Sequence, residues 1–273
     1  MTVRQPLAKQ LVRPKKRSEV VAGHLRLAIV NGEIGKGEML PVERDLIESF
    51  GVSRATMREA MRILETEGLL EVKRGARGGA RVVGPTLALA AHAVGMVLQA
   101  EGTKLDDVQA ARQIIEPPAA RMVAERRSPE VLEVLNAALE AEREAAGTAE
   151  FPFASMRFHE ILVQLSGNRT LSTFLFVLHE IHEGVATAMS HKAMHADFRQ
   201  RGKASGRSNK QAARVKLHAR IISIHEELLE LIEAGDGDGA EALWRDYWRW
   251  IIPFTHPEKA IVDVLRNLGD RND

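Results

Sequence analysis

Between Ser53 and Gly68 the chain reads SRATMREAMRILETEG, and this stretch constrains a helix, its buried face and its exposed face together. Met57, Ala60, Met61 and Leu64 recur at i, i+3, i+4 and i+7, which makes one apolar stripe. Ser53 is a good N-cap and Gly68 is placed to stop the helix. With that stripe buried, Arg54, Arg58 and Arg62 follow at steps of four on another face, roughly a right angle away at about 100° per residue. The chain therefore offers an arginine row outward. Taken alone, such a row is only a solvated face.

The flanks give it a context. Val21, Leu25, Ala28 and Ile29 recur at helical spacing after Ser18, and NGEIGKG breaks that pattern, so a first helix is expected over about 18–32. Pro41 opens a second, VERDLIESF, with Leu46, Ile47 and Phe50 apolar and Gly51 closing it. Two short helices joined by a few residues form a helix-turn-helix, with the arginine helix third in order. After Gly68, LLEVKRGARGGARVV predicts two short strands around a glycine-rich turn. From Lys73 to Arg81 that hairpin carries Lys73, Arg74, Arg77 and Arg81 and no acid, which makes a basic wing. Arg54 lies in the first turn, where a helix entering the major groove brings side chains to base edges. An arginine pairs bidentately with guanine, and the helix N-terminus accepts phosphate.

Charge supports the same division. The formal net charge is only +1, yet residues 1–84 hold 16 Lys and Arg against 10 Asp and Glu, a net of +6, while residues 85–273 are net −5. Such asymmetry suggests that the first segment meets a polyanion. No cysteine occurs, which excludes disulfides, thiolate metal sites and cysteine nucleophiles. The most apolar run, LALAAHAVGMVLQA, is too short to span a bilayer and carries His92, so a cytoplasmic protein without a membrane partner is expected.

Beyond residue 85 strand signals end. Apolar residues recur at helical spacing near 86–100, 105–126, 129–146, 152–166, 169–190, 213–234 and 238–251, lengths suited to an antiparallel bundle, with Asn168 and Gly235 at helix ends. No nucleotide-binding glycine motif and no nucleophile elbow is present, and the sequence offers no paired carboxylate to serve as a general base with His159 or His225, so an enzyme is not expected. The fold class is mainly α: an N-terminal winged helix-turn-helix of three helices and a β-hairpin, then an all-α antiparallel helical bundle. The expected divisions are a basic arm over 1–17, a DNA-binding domain over 18–84 and a helical domain over 85–273.

The stretch GEMLPVERDLIESFGVSRATMREAMRILETEGLLEVKRGARGGARV resembles the winged helix-turn-helix of the GntR family of bacterial transcription regulators. That resemblance implies DNA contacts from Arg44, from Ser53, Arg54, Thr56 and Arg58, and from Arg74 and Gly75 at the wing. Ala55 departs from the more usual polar residue, and the contact made there in the family is missing. The arm with Arg13, Lys15, Lys16 and Arg17 carries the charge to track phosphates, and a disordered tail is an equal reading.

The pieces ARQIIEPPAARMVAERRS, RFHEILVQLSGNRTL and HEELLELIEAGDGDGA resemble the effector-binding, dimerising helical domain of the FadR subfamily, the FCD domain. Many of its members hold a divalent metal through an Asp-x-x-x-His pair and two further histidines. Here His159 and His225 match two of those histidines, but Ser155 stands at the aspartate position and Tyr247 at the last histidine. A possible divalent metal (Zn, Mn or Ni) at a degenerate site, and a metal-free pocket in which Arg112, Ser155, His159, His225 and Tyr247 meet an effector, are both open. Arg112 matches a basic position facing the effector, and a salt bridge to Glu116, four residues on, is its plain structural role. The aromatic cluster of Trp244, Tyr247, Trp248 and Trp250 is open between lining the cavity and helix packing. The segment SHKAMHADFRQRGKASGRSNKQAARVK, with eight Lys and Arg and only Asp197 as an acid, is expected to be a mobile loop.

Joined, the two parts imply a homodimeric regulator that binds an inverted-repeat operator in double-stranded DNA. It would be a repressor released by a small anionic metabolite, a carboxylate or an acyl-CoA. A metal-dependent carboxylate sensor acting as an activator, and a non-specific architectural DNA-binding protein, are the competing readings.

Overall fold

The computed structural model describes residues 16–73, 79–182 and 207–255. Helix α1 (Arg17–Val30) buries Val21, Ala22, Leu25 and Ile29 and packs on α3 (Arg54–Thr66), while α2 (Glu43–Phe50) also packs on α3. Breakers fix the boundaries: Gly51 takes a left-handed conformation (φ 59°) after α2, and Gly68 (φ 70°) follows α3. Met57, Ala60 and Leu64 are fully buried, and Met61 is half-buried, at about 1.5–3 kcal/mol for each large apolar side chain removed from water. The first helix ends two residues before the expected Gly32, which itself lies in the left-handed region.

Strands β1 (Leu70–Lys73) and β2 (Gly79–Val82) form an antiparallel hairpin in register Leu70↔Val82 to Lys73↔Gly79. The backbone at Gly37–Leu40 closes the free edge of β2, with Leu40 N–H donating to the Ala80 carbonyl at 2.8 Å. Leu69, Leu70, Ala80 and Val82 join the helices in one core.

The chain divides into two compact units, 1–89 and 90–273. Helix α4 (Leu87–Ala100) begins in the first and continues into the second. The second unit is helical: α5 (Leu105–Arg126), α6 (Pro129–Glu144), α7 (Phe151–Leu165), α8 (described over 169–182), α9 (Arg207–Ala234) and α10 (Gly237–Thr255). Helix α5 packs along α10 and also meets α7 and α9, while α6 lies against α7 and α9. Asn168 caps α8, its Oδ1 accepting from the N–H groups of Thr170 and Leu171 at 3.1 Å. The core holds Phe151, Phe158, Leu228, Ile232 and Trp244, each with almost no exposure.

One expectation is corrected. The basic segment read as a loop is helical from Arg207, where α9 starts six residues before the expected 213. Gln211 and Arg214 donate to the Gly147 carbonyl at 3.1 and 3.0 Å, so the turn after α6 anchors this first part of α9. The rest of that segment lies outside the described residues. Among the described residues no helix is long and apolar enough to cross a membrane.

Candidate functional site

Helix α3 presents its N-terminus and its arginines outward. Ser53 has extended backbone, and its Oγ accepts from the Thr56 N–H at 3.1 Å while lying 2.9 Å from the Thr56 hydroxyl. Both hydroxyls thus stand at the positive end of the helix macrodipole, where phosphate binds. The side chains of Arg54, Arg58 and Arg62 are 73%, 71% and 79% exposed, and that of Arg44 is 87% exposed. Ala55 is exposed as well and offers no polar group. In the wing, Lys73 and Arg81 are exposed on the two strands. Arg74 and Gly75, expected at its tip, lie outside the described residues. The structure therefore leaves Arg44 on α2 and Ser53, Arg54 and Arg58 at the start of α3 exposed, with Thr56 half-buried beside Ser53. It adds Glu43, whose carboxylate is 3.5 Å from Arg54 Nε and 3.6 Å from Arg58 Nε and which the sequence reading passed over.

The second site is a buried polar centre inside the helical unit. Glu116 on α5 is fully buried and receives groups from three helices. Arg112 Nε donates to Oε1 at 3.0 Å, while Trp244 Nε1 donates to Oε2 at 3.1 Å and His159 Nδ1 stands 2.5 Å from that oxygen. Burial alone would raise the Glu116 carboxyl, but the charges of His159 and Arg112 and the hydrogen bonds from His159 and His179 hold it well below the usual range. His159 moves the other way: burial outweighs the attraction of Glu116 and brings it to about 4. At neutral pH a neutral imidazole therefore donates its Nδ1–H to an ionised carboxylate.

A parallel pair lies beside it. His225 Nδ1 donates to Glu142 Oε2 at 2.7 Å, both residues being fully buried. Burial raises the Glu142 carboxyl, yet His225 and then Ser155 bring it below its ordinary value. The rings of His159 and His225 are 5.4 Å apart, and Tyr247 is 5.4 and 5.5 Å from them. Trp244 stacks on Tyr247 at 4.9 Å, and the Arg112 guanidinium lies 4.5 Å over the Trp248 ring. Trp244, Tyr247 and Trp248 of the aromatic cluster are buried and pack the core, with their rings beside His159.

Arg112, Ser155, His159, His225 and Tyr247 are brought together, and Arg112 forms the salt bridge to Glu116 that was its plain structural reading. Sequence reading missed Glu142 and His179, gave Glu116 only that role, and expected no carboxylate beside His159 or His225, where the structure puts Glu116 and Glu142 from other helices. A signal for the acids existed. Glu142 continues the buried stripe of Leu135, Ala138 and Leu139, and Glu116 follows Leu105, Val108 and Arg112 on another, so each is an acid on an apolar face.

The family-like metal set has a mixed fit. His159 and His225 each turn Nδ1 to a carboxylate, which is how metal-binding histidines are oriented, and His225 Nε2 is buried without a hydrogen-bond partner among the described residues. The other two positions do not follow. Ser155 is a neutral hydroxyl engaged with Glu142 and Tyr247. Burial, followed by the charges of Glu142 and Glu116, pushes the Tyr247 phenol far up, so it keeps its proton. Two imidazoles and two neutral hydroxyls, with no anionic donor at those four positions, do not make a tight divalent site. Among the described residues no group of three His, Asp or Glu is placed to hold a metal.

The model of the FCD domain matches residues 107–249, which include every member of the polar centre. A second model, described as bacterial regulatory proteins of the gntR family, matches residues 17–82. The chain belongs to the GntR family and carries an FCD domain. Its family is one of transcription regulators, not enzymes. The HTH-type transcriptional repressor NanR of Cronobacter sakazakii is 33% identical over 169 residues, and NanR of Klebsiella aerogenes is 33% identical over 170. Each match covers 60% of this chain and 62% of the relative, so the chain spans less than two thirds of the length of these repressors. Among solved structures, Streptococcus agalactiae GntR matches with a TM-score of 0.58 at 22% identity, covering 86% of this chain and 98% of that one, which shows a shared fold.

Proposed function

We propose that this GntR-family member is a transcriptional repressor: the winged unit binds operator DNA, and the helical unit binds a small anionic effector and forms a homodimer in the cytoplasm. The observation that carries the DNA half is the Ser53-capped helix α3 with the Arg54 and Arg58 side chains exposed, together with the exposed Arg44 on α2. Laid in the major groove, α3 would bring Arg54 and Arg58 to guanine edges, with Ser53 and Thr56 on phosphate and the wing, with Arg74 and Gly75, on the flanking backbone. Two such units related by a dyad would read an inverted repeat, which one unit reads weakly.

The effector reading rests on unspent polar atoms in the buried centre. Arg112 uses Nε on Glu116 and points Nη1 at Gln109, which leaves its outer edge for a carboxylate. The Trp248 indole N–H is buried with no acceptor among the described residues, and a bound carboxylate would supply one. Ser155, His159, His225 and Tyr247 complete the lining. Release of DNA then requires the effector to prefer the arrangement that does not fit the operator.

The test is binding to a duplex selected by the protein from a random library, with random-sequence DNA as competitor. Arg54→Ala and Arg58→Ala are each expected to weaken selected-duplex binding by about 1–3 kcal/mol. Unchanged binding in both, with the fold intact, would reject the interface. Equal affinity for selected and random duplexes would make the protein an architectural DNA binder. For the effector half, Arg112→Gln should abolish metabolite-driven release while leaving binding of the selected duplex in place.

A further inference from the structure

Glu43, at the start of α2, reaches two arginines of the recognition helix, Arg54 and Arg58, while Arg62 has Glu59 of its own helix at 4.0 Å. The Glu43 Oε1 stands 3.5 Å from Arg54 Nε and 3.6 Å from Arg58 Nε, distances too long for good hydrogen bonds, and that oxygen is covered and has no hydrogen-bond partner. One carboxylate oxygen thus stands near the Nε of two guanidinium groups, while both arginine side chains stay more than two-thirds exposed. We propose that Glu43 is a specificity-determining residue of the DNA interface: it restrains Arg54 and Arg58 against indiscriminate phosphate binding and presents their outer edges for base contacts. This rests on the DNA-binding reading above.

The physical reason lies in the difference between the two kinds of complex. Non-specific binding draws nearly all its affinity from phosphates and the counterions they release. A negative charge set between two of the available cations lowers the local potential and competes with each phosphate for them. A guanine edge is less disadvantaged, because it takes the Nη edge of an arginine whose Nε side faces Glu43, and bidentate recognition depends on that orientation. Both arginines are exposed, so the attraction is screened and the restraint is soft, as a residue that must repeatedly leave non-cognate DNA requires. Glu43 also opens α2, where an acid favours the helix dipole, but Asp45 occupies the same first turn and serves that purpose too.

The experiment compares Glu43→Gln, Glu43→Asp and Asp45→Asn in the full-length protein. Each is titrated against a random-sequence 30-base-pair duplex and against the duplex that the unaltered protein selects, over a series of salt concentrations. Glu43→Gln is expected to tighten random-duplex binding by about three- to tenfold and to steepen its log K against log salt slope by about 0.9–1.8, the value for one or two further phosphates. Binding to the selected duplex should gain less or weaken, so the ratio of the two affinities falls. Glu43→Asp should restore most of that ratio, and Asp45→Asn, which removes the same charge two residues along α2, beside Arg44 and not Arg54 or Arg58, should lower it far less than Glu43→Gln does. A Glu43→Gln protein with an unchanged ratio, or a ratio that falls as much with Asp45→Asn, overturns the proposal. If the unaltered protein selects no duplex at all, it is the DNA-binding reading that fails, whatever Glu43 does.

Discussion

His218 shows how one residue couples local geometry to stability. Its Nδ1 accepts from the Gly147 N–H at 3.0 Å, and its ring stacks on Phe151 at 3.7 Å. Burial, then the charge of Arg214, lowers its pKa, and Glu142 only partly opposes them. The unfolded chain therefore takes up the proton at a higher pH than the native one. Its stabilising share is fully present above the ordinary histidine value of about 6.5 and is lost as pH falls below it. Thermal midpoints measured from pH 7.5 to 5.5 should decline, and His218→Asn, which keeps an acceptor for Gly147 but does not titrate there, should flatten part of that slope. The metal question is also decided residue by residue. With hydroxyls at 155 and 247, zinc should leave the thermal midpoint unchanged, whereas occupancy at a hundredfold over its Kd would add about 2.7 kcal/mol. Ser155→Asp with Tyr247→His should produce the zinc-dependent rise that the unaltered chain lacks. Both substitutions were suggested by the sequence, but the reason for expecting no rise came from the structure, in which burial and the nearby charges of Glu142 and Glu116 push the Tyr247 phenol far up.

At the scale of elements, boundaries were legible where a cap or a breaker writes them. Ser53, Gly51, Gly68 and Gly235 all stand at the helix ends expected of them, the three glycines with positive φ. Ser53 has two duties that can be separated. Ser53→Ala should cost about 1 kcal/mol of stability through the lost cap, read by chemical denaturation. Ser53→Asp should keep the cap and the stability but weaken DNA binding, because it turns a carboxylate toward phosphate; equal loss of stability in both variants would mean that the cap is not what Ser53 supplies. The start of α9 was not legible. Ser208 and Asn209, close after Gly206, are weak helix formers by local propensity, and what anchors helix there are bonds to Gly147, 64 and 67 residues away in sequence. Glu142 and Glu116 fall between these cases: their periodicity was readable, but an acid on a buried stripe has meaning only when its partner is known.

For the whole molecule, the cores of the two units share no residue, and each is built from its own helices. Calorimetry should therefore resolve two transitions, and Leu64→Ala in the first unit should lower only one of them; a single transition that shifts as a whole would mean that the units unfold together. The sequence by itself determined the order of elements, the helix-turn-helix with its outward arginines, the hairpin wing and the helical nature of the rest. Those properties follow from periodicity, capping and punctuation, which act over a few residues. The tertiary structure alone decided that Glu116 and Glu142 pair with His159 and His225, that the Tyr247 phenol is buried within reach of both their charges, and that Glu43 stands near the Nε of Arg54 and Arg58. Such pairings depend on which faces of distant helices meet, and on charges whose strength is set by the water they exclude. No local pattern in the chain encodes either.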